Sequence, residues 1–429
     1  MLDDGTIDAL AARTTSMVPA GTDAEARSAA VPTPLAHSLG DARIVGLGEA
    51  THGTRECFEH KHRLIRHLVT ERGFRTVAFE ADAAATTALD AFVRGGSPFA
   101  RLSADAESAL AELDMWQWRT ESVRALLDWL RAFNDGRAPA DQVRIRGVDL
   151  STPSAPAAPL QAYFERIDPD AEIEQLRTVA DATVSDDDDR ERVLETVTAA
   201  AEQIRERLDA TRDADEASRD AWRTARWLCR VIEQSCEWAR VRHEQPGPHP
   251  AGMAARDRFM AENARRALER DPGMGVVLWA HDGHVQRGSF DDGTVWADAT
   301  TMGERLARAL GDDYRPVGFD FARGSFRAVG RESGEVETFS VGSPTEDSAT
   351  AAFAAVGDAP YALDLDAVAD DDRLAQWATA EQRKRYVGSV FDPAEEGYAR
   401  TDLPGSFDWL LVLPESTPTI AVDGERQNP

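Results

Sequence analysis

The stretch Ile44-Val45-Gly46-Leu47-Gly48-Glu49-Ala50-Thr51-His52-Gly53 reads as a short buried β-strand that runs directly into an acid and a base. A brief apolar run bounded by a turn suits a strand covered on both faces, as in a parallel sheet. Three further stretches repeat the design: Val77–Phe79 runs into Glu80, Val143–Val148 into Asp149, and Val276–Ala280 into His281. In open α/β sheets, ligands bind beyond the carboxyl ends of the strands. Four strands that each deliver a carboxylate or an imidazole there predict one assembled acid–base site.

The sequence around these strands alternates strand and helix from Asp41 onward, the pattern of a sheet with crossover helices. Thr54–Arg72 predicts an amphipathic helix, because Phe58, Leu64, Ile65, Leu68 and Val69 recur at helical spacing and Gly73 stops it. Further helices are predicted over Ala83–Val93, Arg119–Phe133 and Met302–Leu310. Strands follow at Arg315–Phe319, in short pieces up to Val341, at Tyr361–Leu365 and at Trp409–Val412. After Asp149 the chain turns polar and helical for about a hundred residues. The expectation is an α/β fold: a central mixed, largely parallel sheet flanked by helices, with an inserted helical subdomain. Residues 1–40 would form an N-terminal helix and loop, residues 41–420 the α/β domain, and about 159–270 the insertion.

With 429 residues, the chain can bury a large core. Its net charge of −28 disfavours nucleic acid and anionic membrane partners. Only Lys61 and Lys384 are lysines, and an acidic chain so poor in lysine resembles the proteins of salt-adapted organisms. Met1-Leu2-Asp3-Asp4 lacks the basic start of a signal peptide, and no apolar run approaches the ~20 residues that span a bilayer. The expected location is therefore cytoplasmic. Cys57, Cys229 and Cys236 are too few and too unevenly placed for a disulfide framework, and the last two, seven apart, should share one buried helix face. The run Ser185-Asp186-Asp187-Asp188-Asp189-Arg190 reads as a solvated cap or loop, since consecutive carboxylates cannot all face one ion.

Three motifs mislead. Gly46-Leu47-Gly48-Glu49-Ala50-Thr51 nearly spells a dinucleotide fingerprint, but Thr51 replaces the third glycine and Glu49 would face the pyrophosphate. Ala36-His37-Ser38-Leu39-Gly40 is a near miss to the nucleophile elbow, with a proline-bearing loop before it instead of a strand. Arg331 and Arg385 lack the aromatic interleaving of a nucleic-acid surface and are expected to pair with surface acids.

The chemistry gathers in two glycine-flanked clusters. Glu49 and His52 lie between Gly48 and Gly53 on a strand-to-helix turn, where the glycines would allow close approach of a ligand. His281 and His284 follow another strand at a spacing of three. With Glu49 and Glu80 they would make a metal site with nitrogen and oxygen ligands. The same residues would equally serve a histidine that takes a proton from water while a carboxylate fixes its tautomer. Spacing alone fits both.

The sequence resembles the erythromycin esterase family along most of its length. Gly48-Glu49-Ala50-Thr51-His52-Gly53-Thr54, Lys61, Leu68-Val69, Gly73-Phe74 and Val77-Ala78-Phe79-Glu80-Ala81 are similar to the opening of that family. The similarity continues through Trp116, Trp118, Trp129-Leu130-Arg131, Val148-Asp149, Arg256-Asp257 and Met260-Ala261-Glu262-Asn263. It then runs through Val277-Leu278-Trp279-Ala280-His281-Asp282-Gly283-His284-Val285, Met302-Gly303, Gly318, Gly324-Ser325-Phe326, Arg385-Tyr386-Val387-Gly388 and Phe407-Asp408.

The resemblance implies a hydrolase that opens esters or lactones, macrolides among them, with an activated water and neither metal nor cofactor; such an activity would confer antibiotic resistance. It implies His52 as the general base, with Glu49, Glu80, His281 and Arg256 in the same catalytic site. His284, Lys61, Asp149 and Trp116 would contact the substrate. Lys61 stands where some members carry arginine, and His281-Asp282-Gly283-His284 replaces the more usual His-Asn-x-His; both departures bear on the pocket. The alternatives are a metal-dependent hydrolase using the same histidines and glutamates, and a non-catalytic small-molecule binder. The complete acid–base set argues against the binder. The implied partner is a small-molecule ester or lactone, and oligomeric state is not legible.

Overall fold

The structure is a computed structural model, described for residues 3–169, 173–184, 189–210, 216–244, 249–270, 273–288, 293, 297, 299–380 and 382–422. The chain divides into two units, one of Met1–Ala78, Met115–Leu126 and Ala264–Pro429, the other of Phe79–Asp114 and Leu127–Asn263. Strands are numbered along the chain: β1 Thr14–Ser16, β2 Ile44–Leu47, β3 Thr76–Asp82, β4 Arg144–Asp149, β5 Val276–Trp279, β6 Tyr314–Gly330, β7 Val336–Val341, β8 Tyr361–Asp364, β9 Gln382–Arg385, β10 Val390–Phe391, β11 Tyr398–Thr401 and β12 Trp409–Ser416. The fold is α/β, with a mixed, largely parallel sheet flanked by helices.

In the first unit the sheet order is β1-β8-β12-β6-β2-β5, with β7 and β10 also paired to β6. The pairs β12–β6, β6–β2 and β2–β5 are parallel, whereas β1–β8, β8–β12 and β6–β7 are antiparallel. Strands β2 and β5 are buried at every position, as their unbroken apolar sequences require when both faces are covered. Because they are parallel neighbours in register Leu47↔Trp279, the residues that follow them, Gly48-Glu49 and Ala280-His281, emerge side by side. That register builds the site.

The Arg55–Glu71 helix starts after Thr54 and ends at Arg72, with Gly73 at φ +73°. Its apolar stripe is buried as expected, but so are Glu59, His60, Lys61, His62 and Arg63. The polar face is covered by the N-terminal segment: Arg63 donates to the carbonyls of Val18, Pro19 and Ala26. Glu59 accepts from Arg27 and from Ser122. Buried charges are tolerable here because each is paired.

Burial, with the nearby Arg63 charge acting in the same direction, pushes the His60 imidazole down to about 3, so it stays neutral in the fold. An unfolded imidazole takes up a proton below about 6.5, so stability should fall as pH drops from there toward 3. At pH 5 this amounts to about 2 kcal/mol. Urea melts at pH 7 and pH 5 should show the wild-type chain losing more stability than His60→Gln; equal losses would refute the assignment.

In the second unit, β3 and β4 are neighbours, and Ala83 N donates to Asp149 O at 3.2 Å. The helices Ala157–Ile167, Glu174–Ala180, Arg190–Ala210 and Glu216–Glu244 share a core that includes Leu160, Phe164, Val179, Leu194, Ile204 and Leu228. Cys229 and Cys236 lie in that core as free thiols, in accord with their seven-residue spacing. Of the acidic run, Ser185–Asp188 lies outside the described residues, and Asp189 pairs with Arg192 in solvent.

Several expectations need correction. Residues 1–40 hold the helices Asp4–Ala11, Ala24–Ser28 and Thr33–Gly40 and the strand β1, more structure than one helix and a loop. Strand β3 continues to Asp82, so Glu80 lies within it and not beyond its end. Strand β6 spans 17 residues because it gains partners on both edges, β12 along its middle and β7 along its end. Arg331 pairs with Asp392 and Glu395 at the surface as expected. Arg385 does not: it is buried, with its guanidinium donating to the carbonyls of Glu396 and Ala322.

The flanking glycines make room for the protein itself. A Cβ on Gly53 would lie 2.0 Å from the Arg327 carbonyl oxygen, while the Gly53 carbonyl accepts from Arg327 N and Thr419 N. A Cβ on Gly48 would lie 1.9 Å from the Asp282 carboxylate. Gly53→Ala must displace backbone, so it is expected to cost at least ~1–3 kcal/mol in denaturant unfolding. A stability within error of wild type would contradict that packing.

Candidate active site

Glu49 is the centre of the first-unit cluster. It leaves the buried end of β2 and is itself fully buried. Its Oε2 accepts from Lys61 Nζ at 2.5 Å and from Trp279 Nε1 at 3.0 Å, and its Oε1 meets His52 Nδ1 at 2.7 Å. Lys61 comes from the second turn of the Arg55–Glu71 helix, and its ammonium lies 4.7 Å from the Trp279 ring centroid and 5.7 Å from that of Phe319. Phe58 closes on Trp279 edge to face at 4.9 Å. The ammonium therefore has one carboxylate and an aromatic enclosure, a combination that supports a buried cation.

Burial by itself would raise the Glu49 carboxyl. The Lys61 charge and the hydrogen bonds from His52 and Lys61 outweigh it and hold the group below its ordinary range. Burial also lowers Lys61, against the pull of Glu49, so the two partners pull in different senses on the pair. The Glu49 direction is the firmer one, because three donors converge on that carboxylate. An ionised Glu49 only accepts, so His52 Nδ1 carries the proton and the neutral ring keeps its lone pair on Nε2.

His281 stands beside His52, with ring centroids 4.9 Å apart. It caps the short helix Asp282–Val285: its Nδ1 accepts from Gly283 N at 3.1 Å, and its Nε2 lies 3.0 Å from the Val387 carbonyl. His284 is buried on the same turn. Asp282 N donates to Glu49 O at 3.0 Å, and Val387 N to Ala50 O at 2.7 Å, so the two site turns are tied by backbone. Trp116 is half-buried in this unit, with the Arg327 guanidinium 5.4 Å from its ring centroid.

The second unit brings Glu80, Asp149 and Arg256 together. Arg256, from the Pro250–Arg270 helix, grips Asp149 with two parallel bonds, Nε to Oδ1 at 2.9 Å and Nη2 to Oδ2 at 2.5 Å. Its Nη2 also donates to Glu80 Oε1 at 2.9 Å. Burial opposes the guanidinium charge, but Asp149 and Glu80 overcome it and raise the group above its ordinary value. Bidentate geometry fixes both carboxylates, and two acids against one base leave the group net negative. The predicted residues thus fall into two groups: Glu49, His52, Lys61, Trp116, His281 and His284 in the first unit, and Glu80, Asp149 and Arg256 in the second.

Trp279, Lys384 and Val387 were not singled out by sequence as site residues, and Asp282 only as a departure from the usual His-Asn-x-His. For Lys384 a signal existed, since lysine is so scarce. Ser38 lies on the Thr33–Gly40 helix and accepts from Trp409 Nε1 at 3.0 Å, which is not an elbow geometry. The Cys57 thiol is pushed well up by burial, which suppresses the thiolate that a nucleophile needs. Among the described residues, no three His, Cys, Asp or Glu side chains converge as a metal-ligand group.

A family model described as erythromycin esterase matches residues 69–416. Erythromycin esterase type II of Escherichia coli is 23% identical over 351 residues, which cover 76% of this chain and 81% of that protein. Among solved structures, a succinoglycan biosynthesis protein matches with a TM-score of 0.79 at 20% identity, over 98% of this chain and 99% of that one. A Bacillus cereus protein gives 0.79 at 21% identity, over 98% and 100%. A histidine-to-asparagine variant of erythromycin esterase EreC in its open conformation gives 0.63 at 18% identity, over 90% and 93%. At these identities the structural likeness speaks to fold alone.

Proposed function

Because the chain belongs to the erythromycin esterase family, whose membership supports hydrolysis of an ester in a small molecule, we propose that it cleaves a carboxylic ester or lactone with a water activated by His52. The observation that carries this reading is the 2.7 Å contact between His52 Nδ1 and the buried Glu49 carboxylate. It leaves the Nε2 lone pair as the basic site. In the proposed reaction, Nε2 takes a proton from water as the oxygen attacks the carbonyl carbon. The tetrahedral intermediate then collapses with loss of the alcohol oxygen, which receives the proton back from the imidazolium. Glu49 stabilises that imidazolium and holds its orientation, the part a carboxylate plays in a hydrolytic triad.

Macrolide lactones are one candidate substrate class, since the Escherichia coli relative carries erythromycin in its name. The metal-dependent alternative predicts loss of activity with a chelator and stoichiometric metal in the purified protein, and the His52 reading predicts neither.

Ser38 gives the counter-test. Ser38→Ala should leave turnover of an aryl ester such as p-nitrophenyl butyrate unchanged, at a stability cost of about 1 kcal/mol for the lost Trp409 bond. Loss of turnover in a folded Ser38→Ala protein would restore a serine nucleophile and displace the water mechanism.

A further inference from the structure

Of 48 lysines and arginines only two are lysine, and both are buried against carboxylates of the site turns. Lys61 serves Glu49. Lys384, at the end of β9, donates to Asp282 Oδ2 at 2.7 Å and to Arg385 O at 3.0 Å. An ammonium is a compact point charge, whereas the planar guanidinium fork needs more room and more partners. Each lysine sets a single ammonium against one carboxylate in a closed space.

Lys384 sits on a hydrogen-bonded base. Strand β9 pairs with β11, and Arg385 N donates to Asp320 Oδ2 at 3.0 Å and to Thr350 Oγ1 at 3.1 Å. From this base, residues 384–387 reach both site turns. Asp282, held by Lys384, also accepts from Phe319 N, and its own N–H binds Glu49 O. Val387 N binds Ala50 O, the Val387 carbonyl meets His281 Nε2, and the Tyr386 ring stands edge-on to His281 at 4.7 Å. Both His281 nitrogens are thereby engaged with backbone: Gly283 N–H requires a bare Nδ1, and the Val387 carbonyl requires a proton on Nε2. Among the described residues, titratable and charged groups near this ring include His52, Tyr386, Asp282 with Lys384, and Glu49 behind His52.

We propose that Lys384 is a positioning residue which, through Asp282 and the Val387 carbonyl, locks His281 as the neutral Nε2–H tautomer, a fixed wall beside His52 and not a second proton carrier. The inference rests on the reading of His52 as the base. It assigns the two histidines different work: one carries the proton during turnover and the other does not.

Nitrogen NMR of the full-length protein labelled in its histidine rings tests this directly, with His281 assigned by its loss in His281→Asn. The wild-type signal should report one neutral Nε2–H tautomer from pH 5.5 to 8.5. Lys384→Met strands a buried carboxylate and risks misfolding, so Lys384→Met combined with Asp282→Asn is the working variant. Its His281 should show mixed tautomers or titrate, and its kcat for p-nitrophenyl butyrate should fall about 10- to 100-fold with little change in KM. A wild-type His281 that titrates in this range, or sits as the Nδ1–H form, overturns the proposal. So does a folded double variant with wild-type kcat. The tautomer is read without turnover, so an active His52→Ala protein would sink the hydrolase reading alone.

Discussion

His52→Ala is expected to lower kcat for ester hydrolysis by about 10²–10⁴-fold, the usual range for losing a positioned base. The side chain is buried on the site turn and its hydrogen bond is to Glu49, so the fold should persist. The loss of that donor leaves Glu49 still bound by Lys61 and Trp279. Melting temperature and circular dichroism should therefore stay near wild type while turnover collapses. Glu49→Gln should also damage catalysis, because a neutral amide stabilises the imidazolium less well. Retention of full activity in a folded His52→Ala protein would remove the mechanism.

Lys61→Met should have the largest effect on stability. It keeps the length of the side chain and its packing on Trp279, but it deletes the charge opposite a fully buried carboxylate. Breaking a buried pair from one side costs roughly 3–5 kcal/mol, because the remaining charge is left without compensation. The pH dependence has a definite sign. Glu49 is held below its ordinary range, so the stability it contributes is present above its unfolded value of 4.5 and is lost as pH falls through the folded one. The gap between wild type and Lys61→Met should be widest near neutrality and narrow in acid. Chemical denaturation at pH 7 and pH 4 measures it, and a gap that widens in acid would mean that the pair is not ionised.

The legible part of this molecule is the part that depends on short-range pattern. The apolar runs of β2 and β5 and the acid or base after each could be read directly, and parallel pairing of those strands does the rest. The Arg55–Glu71 helix was equally plain from its spacing. Its burial on the polar side was not, since that depends on carbonyls of Val18, Pro19 and Ala26 some forty residues away. Strand β1 escaped notice because Thr14-Thr15-Ser16 is three polar residues long and exists only through its pairing with β8. The Val387 carbonyl could not have been found at all, because a backbone oxygen carries no residue signature. Gly48 and Gly53 show the opposite error. Glycine marks a close approach, but sequence does not say that the approaching groups are Asp282 and Arg327 and not a ligand.

The central claim is that water, activated at His52, attacks the substrate without a covalent intermediate on the protein. Rapid quenching of the wild-type enzyme during turnover of a slow aryl ester, followed by intact-mass measurement, tests it most directly. An unmodified chain is expected at every time point, with solvent oxygen in the acid product. A chain heavier by one acyl group, whose appearance and decay match turnover, would contradict it.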